Sequence, residues 1–395
     1  MTNCMGGAHL SPGKSEMSLT SKNRIKICLL APSLEFIGGQ SRQAVRLRTA
    51  FQDEASLQVD FIPHDPRLPR LFLWLQRIKY IRTVITTLLY WTMLALRLHR
   101  YDLIHIFSAS YYSYLLSVAP AIIIGKLYGK KVILNYRSGE AEDHLQHWPR
   151  TTVPVMKMAD AIVVPSGYLV DVFARFGLYA QTISNIVELE RFQFRERAPV
   201  RPVFLCSRSL EPLYNIGCAL RAFQLIQERY PQASLTIAAD GSQRPELEQL
   251  AKDLQVRGVE FIGAVPFERM PELYDASDIY LNTNNIDNMP ASILECFASG
   301  LLVVTTDAGG IPYILRHEES GLMVSCGDYK GVAENALRLL SDPQLASRLA
   351  HNARGSVRRC TSGAVREAWL HLYEELVSSG GLPACERVVK PSKSL

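Results

Sequence analysis

The stretch from Asn285 to Asp328 constrains this chain most, because it fixes the order of several structural elements. A helix is predicted to start near Pro290, where a missing backbone N–H costs nothing. The apolar, β-branched run Leu301–Thr305 then predicts a buried strand. A glycine turn at 307–310 leads to Ile311-Pro312, where we expect another helix to begin. A strand between two helix starts is typical of an α/β sheet.

Two acidic residues frame the first of these helix starts. Asp287 precedes the predicted helix and Glu295 lies more than a turn inside it. Asp287 and Asn288 are also residue types that cap helices. Helix starts offer free N–H groups to phosphate, and the two carboxylates suit hydroxyl groups on two parts of one ligand. A capped helix in any α/β sheet would show the same local pattern, so the rest of the chain must separate the two interpretations.

The stretch resembles the signature of the retaining family-4 glycosyltransferases, which have the GT-B fold. That signature is Glu, seven residues, Glu, a small-residue helix end, a strand and a Gly-Gly loop. The resemblance implies that Glu295 holds the ribose of a donor nucleotide and that Asp287 contacts the transferred sugar. Asp287 is shorter than the usual Glu, and Asn288, Met289 and Pro290 replace the usual Gly-rich spacer. In this the chain resembles a bacterial Asp-Asn-x-Pro subgroup.

Length and composition exclude several classes of protein. The chain has 395 residues, which predicts two or three domains, and 48% hydrophobic with 21% charged residues exclude a disordered protein. The net charge of +5 is too diffuse to indicate nucleic-acid binding. Eight cysteines are scattered without a Cys-x-x-Cys pair, which favours a reduced, cytosolic chain.

Strands and helices alternate along both halves of the chain, which predicts an α/β fold with parallel sheets. With the resemblance, we expect two Rossmann-like, doubly wound domains that face a cleft, and a C-terminal helix that crosses back to the first domain. The expected divisions are a tail 1–22, an acceptor domain 23–198, a nucleotide-sugar donor domain 199–364, a crossover helix 365–380 and a tail 381–395.

A second glycine turn follows the first predicted strand, Arg24–Ala31. Gly38 and Gly39 stand between this strand and a helix, a geometry that brings backbone amides close to a diphosphate. A plain turn is the alternative interpretation. The resemblance implies that the Gly38-Gly39 loop faces the donor across the cleft. A dinucleotide fingerprint is excluded because the G-x-G-x-x-G spacing is missing.

The chain departs from the family at two positively charged positions. The family has an Arg and, seven residues later, a Lys on the donor diphosphate; Arg208 matches the first, but Asn215 stands at the second. Many members also place a His near the sugar, where Arg137 stands here. A leaving diphosphate needs its growing charge stabilised. Either Arg137 compensates for the lost Lys, or the donor chemistry is weak or unusual. The expected catalytic residues are Asp287, Arg137 and Arg208.

The resemblance adds donor-binding residues at the helix start and the glycine turn, namely Asn288, Ala291, Ser292 and Gly309. On the acceptor side, Glu140, Asp143 and His144 are candidates for contacting an acceptor hydroxyl. The sequence has no His, Cys and Asp cluster with metal-ligand spacing. The resemblance likewise implies no essential metal, and we expect no cofactor, since the nucleotide-sugar is a substrate.

Residues 67–101 mix basic residues with apolar and aromatic ones. Thr83–Leu96 runs 14 residues without a charge, too short for the ~20 apolar residues that span a bilayer. The pattern fits a helix lying in the membrane interface or a helix that covers the first sheet, and both can hold. We therefore expect a cytoplasmic protein, peripheral on the inner face of the cytoplasmic membrane if the segment meets lipid.

The resemblance implies a retaining, hexosyltransferase-type glycosyltransferase that moves a sugar from a nucleotide-sugar donor to a glycan or lipid-linked acceptor, as in polysaccharide biosynthesis. One alternative is a nucleotide-sugar epimerase of the same fold, which needs no acceptor. Another is a non-catalytic protein on a degraded glycosyltransferase scaffold. Asn215, Arg137 and Asp287 are the three departures that support this last alternative.

Overall fold

A computed structural model of the chain describes residues 24–33, 39–67, 79–108 and 110–378. Both predicted tails, Gly38 and residues 68–78 of the basic and apolar segment lie outside the described residues, and so does Ala109.

The described residues form two parallel sheets of six strands each. The strands are β1 Ile25–Ala31, β2 Leu57–Pro63, β3 Leu103–Phe107, β4 Lys131–Asn135, β5 Ala161–Val164, β6 Gln181–Thr182, β7 Val203–Cys206, β8 Ser234–Ile237, β9 Val259–Phe261, β10 Ile279–Asn282, β11 Leu302–Thr306 and β12 Leu322–Val324. The helices are α1 Gly39–Ala50, α2 Lys79–Arg97, α3 Tyr111–Ser113, α4 Ala119–Leu127, α5 Ala141–His147, α6 Pro149–Met156, α7 Gly167–Arg175, α8 Ile216–Arg229, α9 Arg244–Asp253, α10 Met270–Ala276, α11 Ala291–Ser299, α12 Tyr329–Ser341, α13 Pro343–Ser356 and α14 Ser362–Ser378.

Within each sheet, helices connect successive strands as the alternating pattern predicted, except between β11 and β12, where a 3-10 turn stands. The first sheet has the order β2-β1-β3-β4-β5-β6, and the second β12-β11-β10-β7-β8-β9. Because all strands of a sheet are parallel, their carboxyl ends lie at one edge, where ligands bind in such sheets. The predicted fold class, two doubly wound α/β domains, is confirmed. Two short strands, β6 and β12, were not predicted from the sequence.

The last helix, α14, crosses back to the first domain. Its side chains Trp369 and Tyr373 are fully buried and share a core with Ile27 and Phe107 of the first sheet. Cys360, just before α14, is buried in the second domain instead. The predicted crossover is therefore present.

Helix α2 is only partly covered by the first domain. Tyr90 and Leu94 are buried in its core, whereas Val84, Leu88 and Leu96 are more than half exposed. In the described part of the chain this is the one helix, Ile81–Arg100, whose length and apolar composition would allow it to cross a membrane. The role of α2 in covering the sheet is confirmed, and contact with lipid stays a prediction.

The helix expected at Ile311-Pro312 is wrong. The chain makes only a single 3-10 turn there, Ile311–Tyr313. Its amides are bonded three residues back, as in the bond from Ile314 N to Ile311 O. The buried side chains of Ile314 and Leu315 draw the chain into the core instead of along a helix. One helix start therefore flanks this strand end, not two.

Candidate active site

A cavity of about 390 Å³ opens between the two domains at the carboxyl ends of both sheets. Of the residues predicted from the sequence, it is lined by Gly39, Arg137, Arg208, Asp287, Asn288, Ala291, Ser292 and Glu295. Gly309, Glu140, Asp143 and His144 are not among its lining residues. Of the expected donor-site residues that the structure describes, all but Gly309 thus line this cavity, whereas the acceptor-side candidates stand apart from it. We call this cavity the cleft.

The loop before α11 is fixed by close packing against the glycine turn. Gly310 N donates to Asp287 O at 3.0 Å. A Cβ atom on Gly309 would lie 2.2 Å from Asp287 O, and one on Gly310 would lie 2.0 Å from Asn288 O. Only glycine permits this approach. The Gly309-Gly310 pair thus packs against the backbone of the loop that carries Asp287. The contact expected between Gly309 and a donor phosphate stays a prediction.

Neither acidic nor amide side chains cap α11. Pro290 is the residue that precedes its first turn, one position earlier than expected, and no side-chain bond caps the helix start. Asp287 Oδ1 instead accepts from Asn288 N at 2.8 Å. The capping role suggested for Asp287 and Asn288 is therefore wrong, and the Asp287 carboxylate is directed into the cleft. Gly300 ends the helix as predicted, with φ of 72°.

Asp287 forms an ion pair with Arg208, whose Nη2 lies 2.9 Å from Oδ2. The Arg208 guanidinium also lies over the Tyr214 ring, 4.3 Å from its centroid. Burial alone would lower the pKa of Arg208, but the Asp287 carboxylate and nearby tyrosines raise it. Two of the three predicted catalytic residues thus form one ion pair in the donor domain.

Glu295 is buried and held from both domains. Arg46 Nη2 lies 3.2 Å from Glu295 Oε1, and the Tyr274 hydroxyl donates to Oε2 at 3.0 Å. Burial and then the Glu295 charge raise the pKa of Tyr274 well above its usual value. Arg46 also donates to Ile186 O at 2.9 Å. Arg46 was not predicted from the sequence, although its place one turn after Arg42, beyond the glycine loop, was an available signal.

Arg137 reaches the cleft from the end of β4. Its Nε donates to Asn135 Oδ1 at 2.9 Å, and its Nη1 donates to Asn185 Oδ1. No carboxylate among the described residues lies within ion-pair distance of it. Burial lowers the pKa of Arg137 to about 10, so the side chain is still a cation at neutral pH.

The position of the family lysine is filled by a neutral side chain. Asn215 adopts a left-handed backbone with φ of 46° at the start of α8, and its Nδ2 donates to Asn285 Oδ1 at 3.3 Å. The cleft nevertheless holds four arginines, Arg42, Arg46, Arg137 and Arg208, against the two carboxylates Asp287 and Glu295. Positive charge is therefore supplied from the first domain.

The acceptor-side candidates lie on α5 and just before it. His144 is fully buried, its Nδ1 is 3.1 Å from the Tyr136 hydroxyl, and burial lowers its pKa to about 4. Asp143 is exposed and accepts from the Tyr111 hydroxyl. Glu140 is also exposed. Gly139, beside Glu140, is the nearest residue of this segment that lines the cleft. The acceptor role of Glu140, Asp143 and His144 stays a prediction. The described residues contain no group of His, Cys, Asp and Glu that could hold a metal ion.

Comparisons with known proteins agree with this geometry. Residues 189–356 match the family model of the glycosyl transferases group 1. The N-acetyl-alpha-D-glucosaminyl L-malate synthase of Bacillus anthracis is 28% identical over 187 residues, which cover 45% of this chain and 48% of that protein. The lipopolysaccharide core biosynthesis glycosyltransferase LpsE of Rhizobium meliloti is 33% identical over 36% of this chain and 42% of that protein. The chain spans less than half the length of both relatives.

Solved structures match over more of the chain. HepE of Anabaena, crystallised with UDP and glucose, has a TM-score of 0.70 at 16% identity, over 89% of this chain and all of that chain. This likeness shows that both sheets and the cleft between them have the GT-B arrangement. Together with the family match, it follows that residues 189–356 are a glycosyl transferases group 1 domain, within a chain of the GT-B fold.

Proposed function

We propose that this chain is a retaining glycosyltransferase of the hexosyltransferase type, which moves a sugar from a nucleotide-sugar donor to a glycan or lipid-linked acceptor. The observation that carries the proposal is the make-up of the cleft, where two carboxylates face four guanidinium groups from both domains. Carboxylates suit sugar and ribose hydroxyls, and guanidinium groups suit phosphate oxygens. HepE, of the same fold, was solved with UDP and glucose and with UDP-glucose, which supports this class of donor.

The surroundings of Arg137 are the strongest support for an anionic ligand in the cleft. Charged groups withdrawn from water are normally paired, yet among the described residues this guanidinium is held by the amides of Asn135 and Asn185 and by the Phe107 ring, with no carboxylate at ion-pair distance. A donor diphosphate in the cleft would supply the missing counter-charge. On this account Arg137 compensates for the lysine that Asn215 replaces.

The donor is placed mainly on the second domain in this proposal. Glu295 takes the ribose hydroxyls through the lone pairs that Arg46 and Tyr274 leave free. Asp287 takes hydroxyls of the transferred sugar. The first amides of α11, at Ala291 and Ser292, have no partner within the helix and face phosphate at a helix start of positive potential.

Bond breaking between the sugar and the diphosphate leaves negative charge on the departing phosphate. Arg137 and Arg208 are the side chains that stabilise this charge, by the same physical effect that a metal ion provides in other transferases. We therefore propose that donor binding needs no divalent metal. Binding of UDP that is unchanged by EDTA supports this, and binding that depends on added Mg²⁺ contradicts it.

The acceptor enters from the first domain in this proposal. A surface cavity of about 590 Å³ is lined by Leu115, Trp148 and Arg150, among others. Tyr112 is 73% exposed and meets the Trp148 ring edge-on, with centroids 5.0 Å apart. Exposed aromatic rings beside an arginine suit a sugar that is linked to a phosphate group.

The apolar face of α2 adjoins this surface. Trp91 donates through Nε1 to Leu116 O at 2.8 Å, which joins α2 to the segment that carries Leu115. Val84 and Leu88 are 58% and 55% exposed, and exposed Arg82 precedes them. This combination favours a helix on an anionic bilayer surface. We propose a peripheral position on the cytoplasmic face of the membrane, where a lipid-linked acceptor would be presented.

The test is transfer of labelled sugar from a panel of UDP-, GDP- and ADP-sugars into glycan or lipid extracted from membranes. One donor should label the product with the anomeric configuration of the donor retained, and Asp287→Asn should reduce the rate about a hundredfold, as loss of one group that stabilises a transition state typically does. Inverted product contradicts retention. A nucleotide-sugar converted without an acceptor points to an epimerase. No reaction and no donor binding point to a non-catalytic scaffold.

A further inference from the structure

Buried side chains link the last helix to the cleft. The Tyr373 hydroxyl is 2.7 Å from His105 Nδ1, and Asn135 Nδ2 is 2.8 Å from His105 Nε2. His105 and Asn135 are fully buried, and Tyr373 is 1% exposed. Arg137 Nε donates to the Asn135 oxygen at 2.9 Å. Since Nε can only donate, the amide nitrogen of Asn135 must face His105.

This geometry determines the protonation of His105. Asn135 Nδ2 donates, so His105 Nε2 must accept and carries no proton. Nδ1 then carries the proton and donates to the Tyr373 hydroxyl. Burial, with the nearby Arg137 charge, lowers the pKa of His105 well below its usual value. A neutral imidazole with one defined tautomer therefore holds the Asn135 amide in place.

The same series of bonds continues into the second domain. Arg137 Nη1 donates to Asn185 Oδ1, and Asn185 Nδ2 donates to Met289 O at 2.8 Å. Met289 lies between Asp287 and α11, within the loop that lines the cleft, which we call the donor loop. Tyr373, His105, Asn135, Arg137 and Asn185, which we call the buried chain, thus connect α14 with the backbone of the donor loop.

We propose that the buried chain is a positioning device for the donor site. Tyr373 and His105 orient Asn135, Asn135 orients the Arg137 guanidinium, and Asn185 joins that guanidinium to the donor loop. Tyr373 acts through the other members and touches no ligand. A ligand that binds Arg137 or the loop is in this way coupled, through the hydrogen bonds of the buried chain, to the crossover helix α14. The nucleotide part of this proposal rests on the proposed function.

Two features make the coupling physically reasonable. The side-chain amides of Asn135 and Asn185 each accept a hydrogen bond from Arg137 through their oxygen. Their nitrogens donate to His105 and to Met289 O, respectively, so rotating either amide by 180° would break two hydrogen bonds at once. His105 is also fixed by ring contacts: it stacks on Phe107, with centroids 5.2 Å apart, and lies tilted against Trp369, with centroids 4.4 Å apart. Buried, fully bonded networks of this kind have one preferred arrangement.

The test is a double-mutant cycle with UDP as the probe, measured by titration calorimetry on the full chain. Tyr373→Phe removes the hydroxyl at one end, and Asn185→Ala removes the amide at the other. We expect each variant to weaken UDP binding about three- to tenfold, and the double variant to bind about as weakly as the weaker single one. Changes at separated, independent sites would instead multiply, and that outcome overturns the proposal.

A second readout separates positioning from a loss of packing. Leu372→Ala on the same helix removes a side chain that is 5% exposed and outside the buried chain. Tyr373→Phe should shift the backbone amide resonances of residues 287–292, and Leu372→Ala should leave them in place. Unchanged resonances in Tyr373→Phe, or equal changes in both variants, overturn the proposal. This readout needs no nucleotide. A wild-type chain that binds no UDP would therefore count against the proposed function, and the amide resonances would still decide whether the buried chain positions the loop.

Discussion

Arg46 on the first helix of one domain lies 3.2 Å from Glu295 on a helix of the other, and both side chains are about 5% exposed. The pair closes the cleft at the point where the ribose is proposed to bind. Arg46 is also in contact with the Phe267 ring, 4.7 Å from its centroid. The first domain is thereby connected directly to the carboxylate that the donor would use.

Replacing Arg46 with Met should destabilise the protein. Glu295 would be left buried with Tyr274 alone, and removing one partner of a buried ion pair costs about 3 kcal/mol. The measurement is the free energy of unfolding in urea, with Arg48→Met, an exposed residue of the same helix, as the matched control. A loss no larger than that of the control would show that the pair contributes nothing to domain association.

Gly310→Ala should disturb the donor loop. The added Cβ atom would lie 2.0 Å from Asn288 O, so either the turn or the loop that carries Asp287 must move. We expect a lower melting temperature and loss of UDP binding. Gly355→Ala, in α13, has nothing within 4 Å of the added atom and should stabilise the helix by up to ~1 kcal/mol. Equal behaviour of the two variants would contradict this packing argument.

The exposed face of α2 should control binding to lipid vesicles. Val84→Ser and Leu88→Ser together remove apolar area and leave the buried Tyr90 and Leu94 untouched. We expect the wild type to float with vesicles that contain phosphatidylglycerol, less so in high salt, and the double variant to stay in solution.

The matched control for this flotation lies on the other face of the same sheet. Val45 on α1 and Val377 on α14 are each 38% exposed, and the Val45→Ser, Val377→Ser variant should float like the wild type. If the α2 variant floats with vesicles as the wild type does, α2 is not the element that binds the membrane surface.

His144 should make stability depend on pH. Burial depresses its pKa from 6.5 to about 4 in the folded state, so the unfolded state binds more protons between these values. Stability is then complete above about pH 6.5 and is lost as the pH falls towards 4. The shift corresponds to at most ~3 kcal/mol at the lower limit.

Unfolding curves between pH 7 and 4 measure this dependence. His144→Gln should flatten it, and the exposed His99→Gln should not. His64, whose pKa burial lowers to about 3, adds a similar slope that remains in both variants. An unchanged slope in His144→Gln would show that His144 does not titrate as its burial indicates.

Local pattern predicted most of the fold and half of the site. Periodicity, glycine positions and spacing predicted strand β4 and helix α11. They also predicted that Asp287 and Glu295 lie in one cleft. Contacts between distant segments were not predictable in this way. Arg46 meets Glu295 only because two domains pack together, and Asn185 meets Met289 for the same reason.

One wrong prediction and one unexpected burial have a common physical origin. The turn at Ile311 has the composition of a helix start, but burial of the following side chains overrides that local preference. His144 has the residue type of a catalytic group, yet it packs among tyrosines and is fully buried. Tertiary burial decided both positions, and burial is a property of the folded chain rather than of a short sequence window.

The most direct test of the central claim is calorimetric titration of the purified chain with UDP-, GDP- and ADP-sugars, beside Glu295→Gln and the exposed control Glu272→Gln. We expect one donor to bind, Glu295→Gln to weaken this binding about tenfold or more through loss of charge-assisted hydrogen bonds, and Glu272→Gln to leave it unchanged. No binding by any donor, or equal binding by the wild type and Glu295→Gln, would contradict a nucleotide-sugar site in the cleft.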